Sequence, residues 1–146
     1  GTRPRRMLLT PDESELWVSA ELSGEMYIID TSSYEVIDII KFLPPGFREE
    51  DVTPVGFRLN KAGTKAYISL GRANHIAIVD VLSRAIEEYI LVGSRPWEVE
   101  LSKDEKTLFV TNGLSDDISI INLENNTVIK SVPVGRVPYK VLIDYK

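Results

Sequence analysis

The combination best equipped to bind a ligand or move a proton in this sequence is Arg72, Asn74 and His75, three polar side chains within four positions. His75 is the only histidine. As a general base it would need a nucleophile and an orienting group, and as a metal ligand it would need further ligands; local spacing offers neither. A structural or surface role is therefore expected for His75, with the trio kept as a candidate binding site. A second set is Arg6, Arg58, Glu98, Glu100 and Lys140, charges interleaved with apolar residues, which suits the wall of a polar channel holding water, an ion or a small polar ligand. Simple solvation of such charges is the blander expectation. A third set, Phe42, Phe47 and Arg48, falls in a proline-containing stretch, residues 41–53, where exposed aromatics beside charges would suit a partner contact. Asp116 and Asp117 alone fall short of the ~6 to 8 oxygens that calcium takes. No catalytic residue and no metal ligand is assigned. The cofactor is left unknown, since the chain encodes no phosphate-binding glycine loop or haem-attachment motif.

The elements that must position these residues follow from a repeat. Pro4, Pro54, Pro96 and Pro138 are separated by 50, 42 and 42 residues. Leu16-Trp17-Val18-Ser19, Ala66-Tyr67-Ile68-Ser69 and Leu108-Phe109-Val110-Thr111 stand at one offset from their prolines, with an aromatic second and Ser or Thr fourth. Asp30, Asp80 and Asn122 keep the same step. A period near 42 lies in the ~40 to 50 residues of one propeller blade. Within each unit the third and fifth residues after the proline are apolar, as in Met7 and Leu9 or Val99 and Leu101, which is the period of a strand with one buried face. Polar turns, the aromatic strand, a nearly continuous apolar strand and a closing strand complete the unit.

The expected architecture is all-β: four-stranded antiparallel propeller blades at 1–50, 51–92 and 93–134, then the first strand of a fourth blade at 135–146. Three blades leave apolar faces exposed at both ends of an arc, because propellers close at ~4 to 8 blades. Remaining blades of the same propeller, or further copies of the chain, are therefore expected partners. Gly1 falls on the repeat boundary, and the chain reads as the C-terminal part of a longer propeller. Asp in place of Ile78 or Ile120 is expected to collapse the array by setting an unpaired charge between sheets.

Composition narrows the function classes. The net charge of −5, with signs interspersed, argues against the basic stripe of a nucleic-acid binder. No stretch approaches the ~18 apolar residues of a membrane span. The absence of cysteine removes disulfides, thiolate metal sites and a cysteine nucleophile.

The order of Gly, Pro, apolar strand, turn, aromatic-Val-Ser/Thr and Ile-x-Ile/Val-x-Asp resembles the YVTN-type propeller repeats of secreted and surface proteins. Leu70-Gly71-Arg72-Ala73-Asn74-His75 with Ile76 to Asp80, Thr111-Asn112-Gly113-Leu114-Ser115-Asp116-Asp117 and Val134-Gly135-Arg136-Val137-Pro138 are similar to the β-propeller family associated with PQQ-dependent catabolism. That resemblance implies a seven-bladed ring, export to the periplasm and an association with quinoprotein alcohol oxidation, and it brings no catalytic residue. The resulting expectation is a non-enzymatic interaction or ligand-binding module, which binds a periplasmic protein or a small polar ligand. The alternatives are an oxidoreductase propeller holding a cofactor in its channel and a cell-surface structural array.

Overall fold

The computed structural model describes residues 1–144. Twelve strands form three separate four-stranded antiparallel sheets, each built from consecutive strands. The first blade holds β1 (Pro4–Leu9), β2 (Glu15–Ala20), β3 (Glu25–Asp30) and β4 (Val36–Lys41). The second holds β5 (Phe57–Leu59), β6 (Lys65–Ser69), β7 (His75–Asp80) and β8 (Ile86–Leu91), and the third holds β9 (Pro96–Leu101), β10 (Thr107–Asn112), β11 (Asp117–Asn122) and β12 (Thr127–Pro133). The sheets stack as an arc of propeller blades, as the repeat implies. The innermost strands β1 and β5, and β5 and β9, are neighbours.

Two apolar layers hold the stack. Trp17, Met26 and Ile28 of the first blade meet Phe57, Ile68, Ala77 and Val79 of the second. Tyr67, Ile76 and Ile78 on the other face of the second blade meet Val99, Leu101, Leu108, Val110 and Ile121 of the third. Alternation along each strand therefore sends successive side chains to different neighbouring blades, which is why β7 is buried almost throughout. The outer faces have no such cover. Met7 is 63% exposed at one end of the arc and Ile129 61% at the other.

The recurring hydroxyl at the end of the aromatic strand has a specific task. Ser19 Oγ donates to the Val55 carbonyl of the next blade at 2.7 Å and accepts from the Arg6 amide of its own blade at 3.1 Å. Ser69 repeats the arrangement, reaching the Trp97 carbonyl at 3.2 Å while accepting from the Gly56 amide at 2.9 Å. Thr111 accepts from the Glu98 amide at 3.1 Å. One small hydroxyl thus serves buried backbone groups in each blade, and in the first two blades it also ties the blade to the next. On the opposite rim Arg84 of the second blade pairs with Glu15 of the first and lies 5.3 Å over the Trp17 ring.

The third of the sequence-derived sets behaves differently from expectation. Phe42 is only 3% exposed and belongs to the core between the first two blades. Phe47 is half-buried, packing on that core and edge-on against His75 at 5.4 Å. Residues 42–53 therefore fold back as a cover, because two phenylalanines in one connection gain more from burial than from solvent. Arg48 stays exposed and spends its charge on Glu50 and Asp51 at 3.1 and 3.0 Å. Residues 134–144 differ too. They carry no strand, and a lone strand would leave its backbone groups unpaired. Tyr139 packs edge-on against Trp97 at 5.6 Å.

Aspartates start the turns between strands. Hydrogen bonds from the Ser32 hydroxyl, then the Ser33 amide and hydroxyl, hold the Asp30 carboxyl at about 2. Asp80 is lowered by the Ser83 amide and hydroxyl, and Asp104 by the Ser102 hydroxyl and the Lys106 amide. A depressed carboxylate stabilises the fold above its unfolded pKa and loses that contribution as pH falls through the folded value. Urea midpoints should accordingly drop between about pH 4 and pH 2, and Asp30→Asn should make that drop shallower. An unchanged acid limb would show that the Asp30 turn contributes nothing.

Candidate functional site at the blade axis

Positions two and four residues after each repeat proline lie on, or just before, the innermost strands. At the second position stand Arg6, Gly56 and Glu98, and at the fourth Leu8, Arg58 and Glu100. Glu98 is 1% exposed. Its Oε2 is held by Arg6 of the first blade, from Nε at 3.1 Å and Nη2 at 3.0 Å. This pair spans the second blade, and Gly56 makes that possible: a Cβ there would come within 2.4 Å of the Trp97 carbonyl and 2.5 Å of Glu98 Oε1. A missing side chain in the middle blade is thus what lets its two neighbours join.

Arg58 closes the other side. It grips Glu100 through both carboxylate oxygens, with Nε at 3.1 Å from each and Nη2 at 3.0 Å from Oε2. It also points Nη1 toward Glu98 Oε1 at 3.7 Å, outside hydrogen-bond range. Glu98 Oε1 is therefore a buried carboxylate oxygen that accepts no hydrogen bond among the described residues. Such an atom is costly to leave bare. It lies beside Gly56 on the side of the Arg58 guanidinium, covered by the surrounding chain. Two open clefts of roughly 390 and 370 Å³ flank Arg58, one lined by Leu8, Leu59 and Lys61 and the other by Glu100, Leu101 and Lys103, and Glu98 lines neither.

Four of the five interleaved charges are therefore brought together. Lys140 is not: it is exposed on the segment after β12. The Arg72, Asn74 and His75 trio is dispersed in role. His75 Nδ1 lies 2.6 Å from the Ala73 carbonyl, and its ring sits edge-on to Phe47 and Tyr89. Asn74 adopts the left-handed conformation that ends the short 3-10 turn Gly71–Ala73, and its Oδ1 accepts from the Arg95 amide at 2.8 Å. Arg72 is exposed, its amide bonded to Thr53 Oγ1. A tight turn placed these residues adjacent in sequence but aimed them apart. Among the described residues no group of three His, Cys, Asp or Glu gathers as a metal site.

The family model described as a lactonase, seven-bladed β-propeller, matches residues 1–132. The chain belongs to this lactonase family of seven-bladed propellers. Solved structures agree on the fold. A periplasmic gluconolactonase of Pseudomonas aeruginosa is 22% identical with a TM-score of 0.76, over 92% of this chain and 40% of that one. A putative 6-phosphogluconolactonase of Bacteroides fragilis is 19% identical with a TM-score of 0.79, over 94% and 41%. Hydrazine synthase of Kuenenia stuttgartiensis is 19% identical with a TM-score of 0.82, over 93% and 37%. The chain thus spans about two fifths of the length of these proteins. No match was found among curated proteins. The β-propeller itself is what these matches share with the resemblance read from the repeats.

Two residues of the site escaped sequence reasoning. Gly56 has no chemistry of its own, and only its alignment with Arg6 and Glu98 marks it. Glu21 lies in the turn between β2 and β3, outside the interleaved strand pattern, although it is only 4% exposed.

Proposed function

We propose that the propeller to which this chain contributes binds a small hydroxylated lactone at its axis and hydrolyses it. The observation that carries this reading is the bare Oε1 of buried Glu98 between two arginines. Glu98 takes a proton from the attacking water. Arg58 Nη1, on the Oε1 side, stabilises the oxyanion that forms at the lactone carbonyl, as preorganised donors do in a water-poor site. The ring C–O bond then breaks, and the leaving alkoxide recovers the proton from Glu98, giving the open hydroxy acid. Arg6 fixes the carboxylate through Oε2 and leaves Oε1 as the oxygen with no hydrogen-bond partner among the described residues. The lactonase family and the gluconolactonase among the structural neighbours support this reaction class.

The exposed ends of the arc take neighbouring blades in this reading, completing the family's seven-bladed ring. Export to the periplasm fits the resemblance and the periplasmic neighbour. A passive interaction module tied to quinoprotein oxidation draws on the resemblance alone, and the axial cluster lends it nothing. The test is hydrolysis of glucono-lactone followed by pH-stat. Glu98→Gln keeps the shape and should lower the rate by about 10² to 10⁴-fold with circular dichroism unchanged. A fully active Glu98→Gln protein would overturn the mechanism.

A further inference from the structure

One step along the axis from Glu98, at the end where the innermost strands begin, three arginines surround Glu21. Arg3 Nε lies 3.3 Å and Arg5 Nε 3.4 Å from Glu21 Oε2, and Arg95 Nη2 lies 3.9 Å from Oε1. Arg3 and Arg95 are repeat equivalents, each preceding its blade's proline. Each is held with φ near 60° and offers its carbonyl to the turn after the aromatic strand, Arg3 to the Glu21 amide and Arg95 to the Gly113 amide, both at 3.0 Å. The rim therefore fixes the backbones that carry two of the three cations.

The charge balance of this collar is unequal. Three guanidinium groups face one carboxylate, an excess of two positive charges, while the axial cluster below it is neutral, with Arg6 and Arg58 against Glu98 and Glu100. The ion pairs are also loosely aligned: Glu21 Oε2 accepts no hydrogen bond although two Nε atoms are near. None of the three guanidinium groups makes a side-chain hydrogen bond among the described residues. Each carries five N–H donors in a planar fork suited to carboxylate or phosphate oxygens. The Arg5 and Arg95 side chains are about three-quarters covered, at 26% exposure each, so solvent supplies only part of what their donors require. Glu21 fixes the collar without using it up.

We infer that Arg3, Arg5 and Arg95 form a binding site for a small oxyanion, carboxylate or phosphate, at the mouth of the channel, distinct from the Glu98 cluster. The inference stands on charge and hydrogen-bond supply and does not require that the axis hydrolyse anything. Where the hydrolytic reading also holds, it gives the substrate an acidic group that docks at the mouth while the lactone carbonyl reaches Glu98.

The probes are inorganic phosphate and acetate, titrated into the whole chain at low ionic strength and followed by calorimetry. Saturable binding is expected, and the stronger of the two anions names the group recognised. The double variant Arg5→Gln/Arg95→Gln should weaken it at least roughly tenfold. Glu21→Gln should instead tighten binding by about tenfold, because it removes the competing negative charge. A merely structural collar predicts no binding, or equal loss in both variants, and either result would overturn the inference. Should either variant fail to fold by circular dichroism, Arg3→Gln, on the most exposed of the three, must still weaken binding; unchanged affinity there also overturns it. Failure of lactone hydrolysis with anion binding intact would reject the axial mechanism alone.

Discussion

Gly56→Ala should destabilise the arc by on the order of 3 kcal/mol and abolish the axial cluster together with it. The added methyl meets backbone, the Trp97 carbonyl at 2.4 Å and the Glu98 Cα at 2.9 Å, as well as Glu98 Oε1. Flexible side-chain ends can yield by a few tenths of an ångström, but here the innermost strands of two blades must move apart. The Gly56 amide bond to the Trp97 carbonyl, 2.9 Å long, would stretch with them, and so would the Ser69 latch that ends on the same carbonyl. Chemical denaturation checks the stability, and the loss of Glu98-dependent ligand binding checks the site. A variant as stable as the parent would mean that the blades approach less closely than described.

Ile78→Asp should be the more damaging change, costing at least about 4 kcal/mol and leaving little folded protein. Ile78 is 3% exposed between the second and third blades, packed in the core with Val99, Leu108 and Val110. A carboxylate there would sit among apolar side chains, with Tyr67 directly across the strand. Ile120 sits at the matching position of the third blade, and repeat symmetry predicts an equal loss. The structure separates the two: Ile120 is only half-buried, because its face of the sheet has no neighbouring blade within the described residues. Ile120→Asp in the isolated chain should thus cost little, while in a closed ring it should approach the cost at Ile78. Thermal melts of both variants decide this, and equal collapse in the isolated chain would show that another surface already covers Ile120.

How much of this was legible beforehand follows from what a repeat can encode. Spacing between prolines, alternating apolar residues and the aromatic-to-hydroxyl segment marked out the all-β class and the four-stranded antiparallel sheets, because each is a local requirement repeated in register. The charges Arg6, Arg58, Glu98 and Glu100 were legible as a set for the same reason. Their pairing was not. That Arg6 reaches Glu98 across 92 positions depends on the empty place at Gly56, and an absent side chain leaves no pattern to read. Phe42 illustrates the opposite difficulty: an aromatic in a long connection looks exposed, and only the fold shows that the connection turns inward. The Arg72, Asn74 and His75 trio was legible as chemistry but misleading as geometry, since a left-handed Asn74 sends neighbouring side chains to different partners.

The central claim is that buried Glu98 offers its free oxygen to a ligand at the axis. It is tested most directly by carboxyl carbon NMR of ¹³C-glutamate-labelled protein titrated with gluconate, which binds as a product without turning over. The account predicts that the Glu98 resonance shifts saturably, that Glu100 moves less because Arg58 already occupies both its oxygens, and that Glu98→Gln removes the responsive signal. A Glu98 resonance that stays fixed while gluconate binds elsewhere would contradict the account.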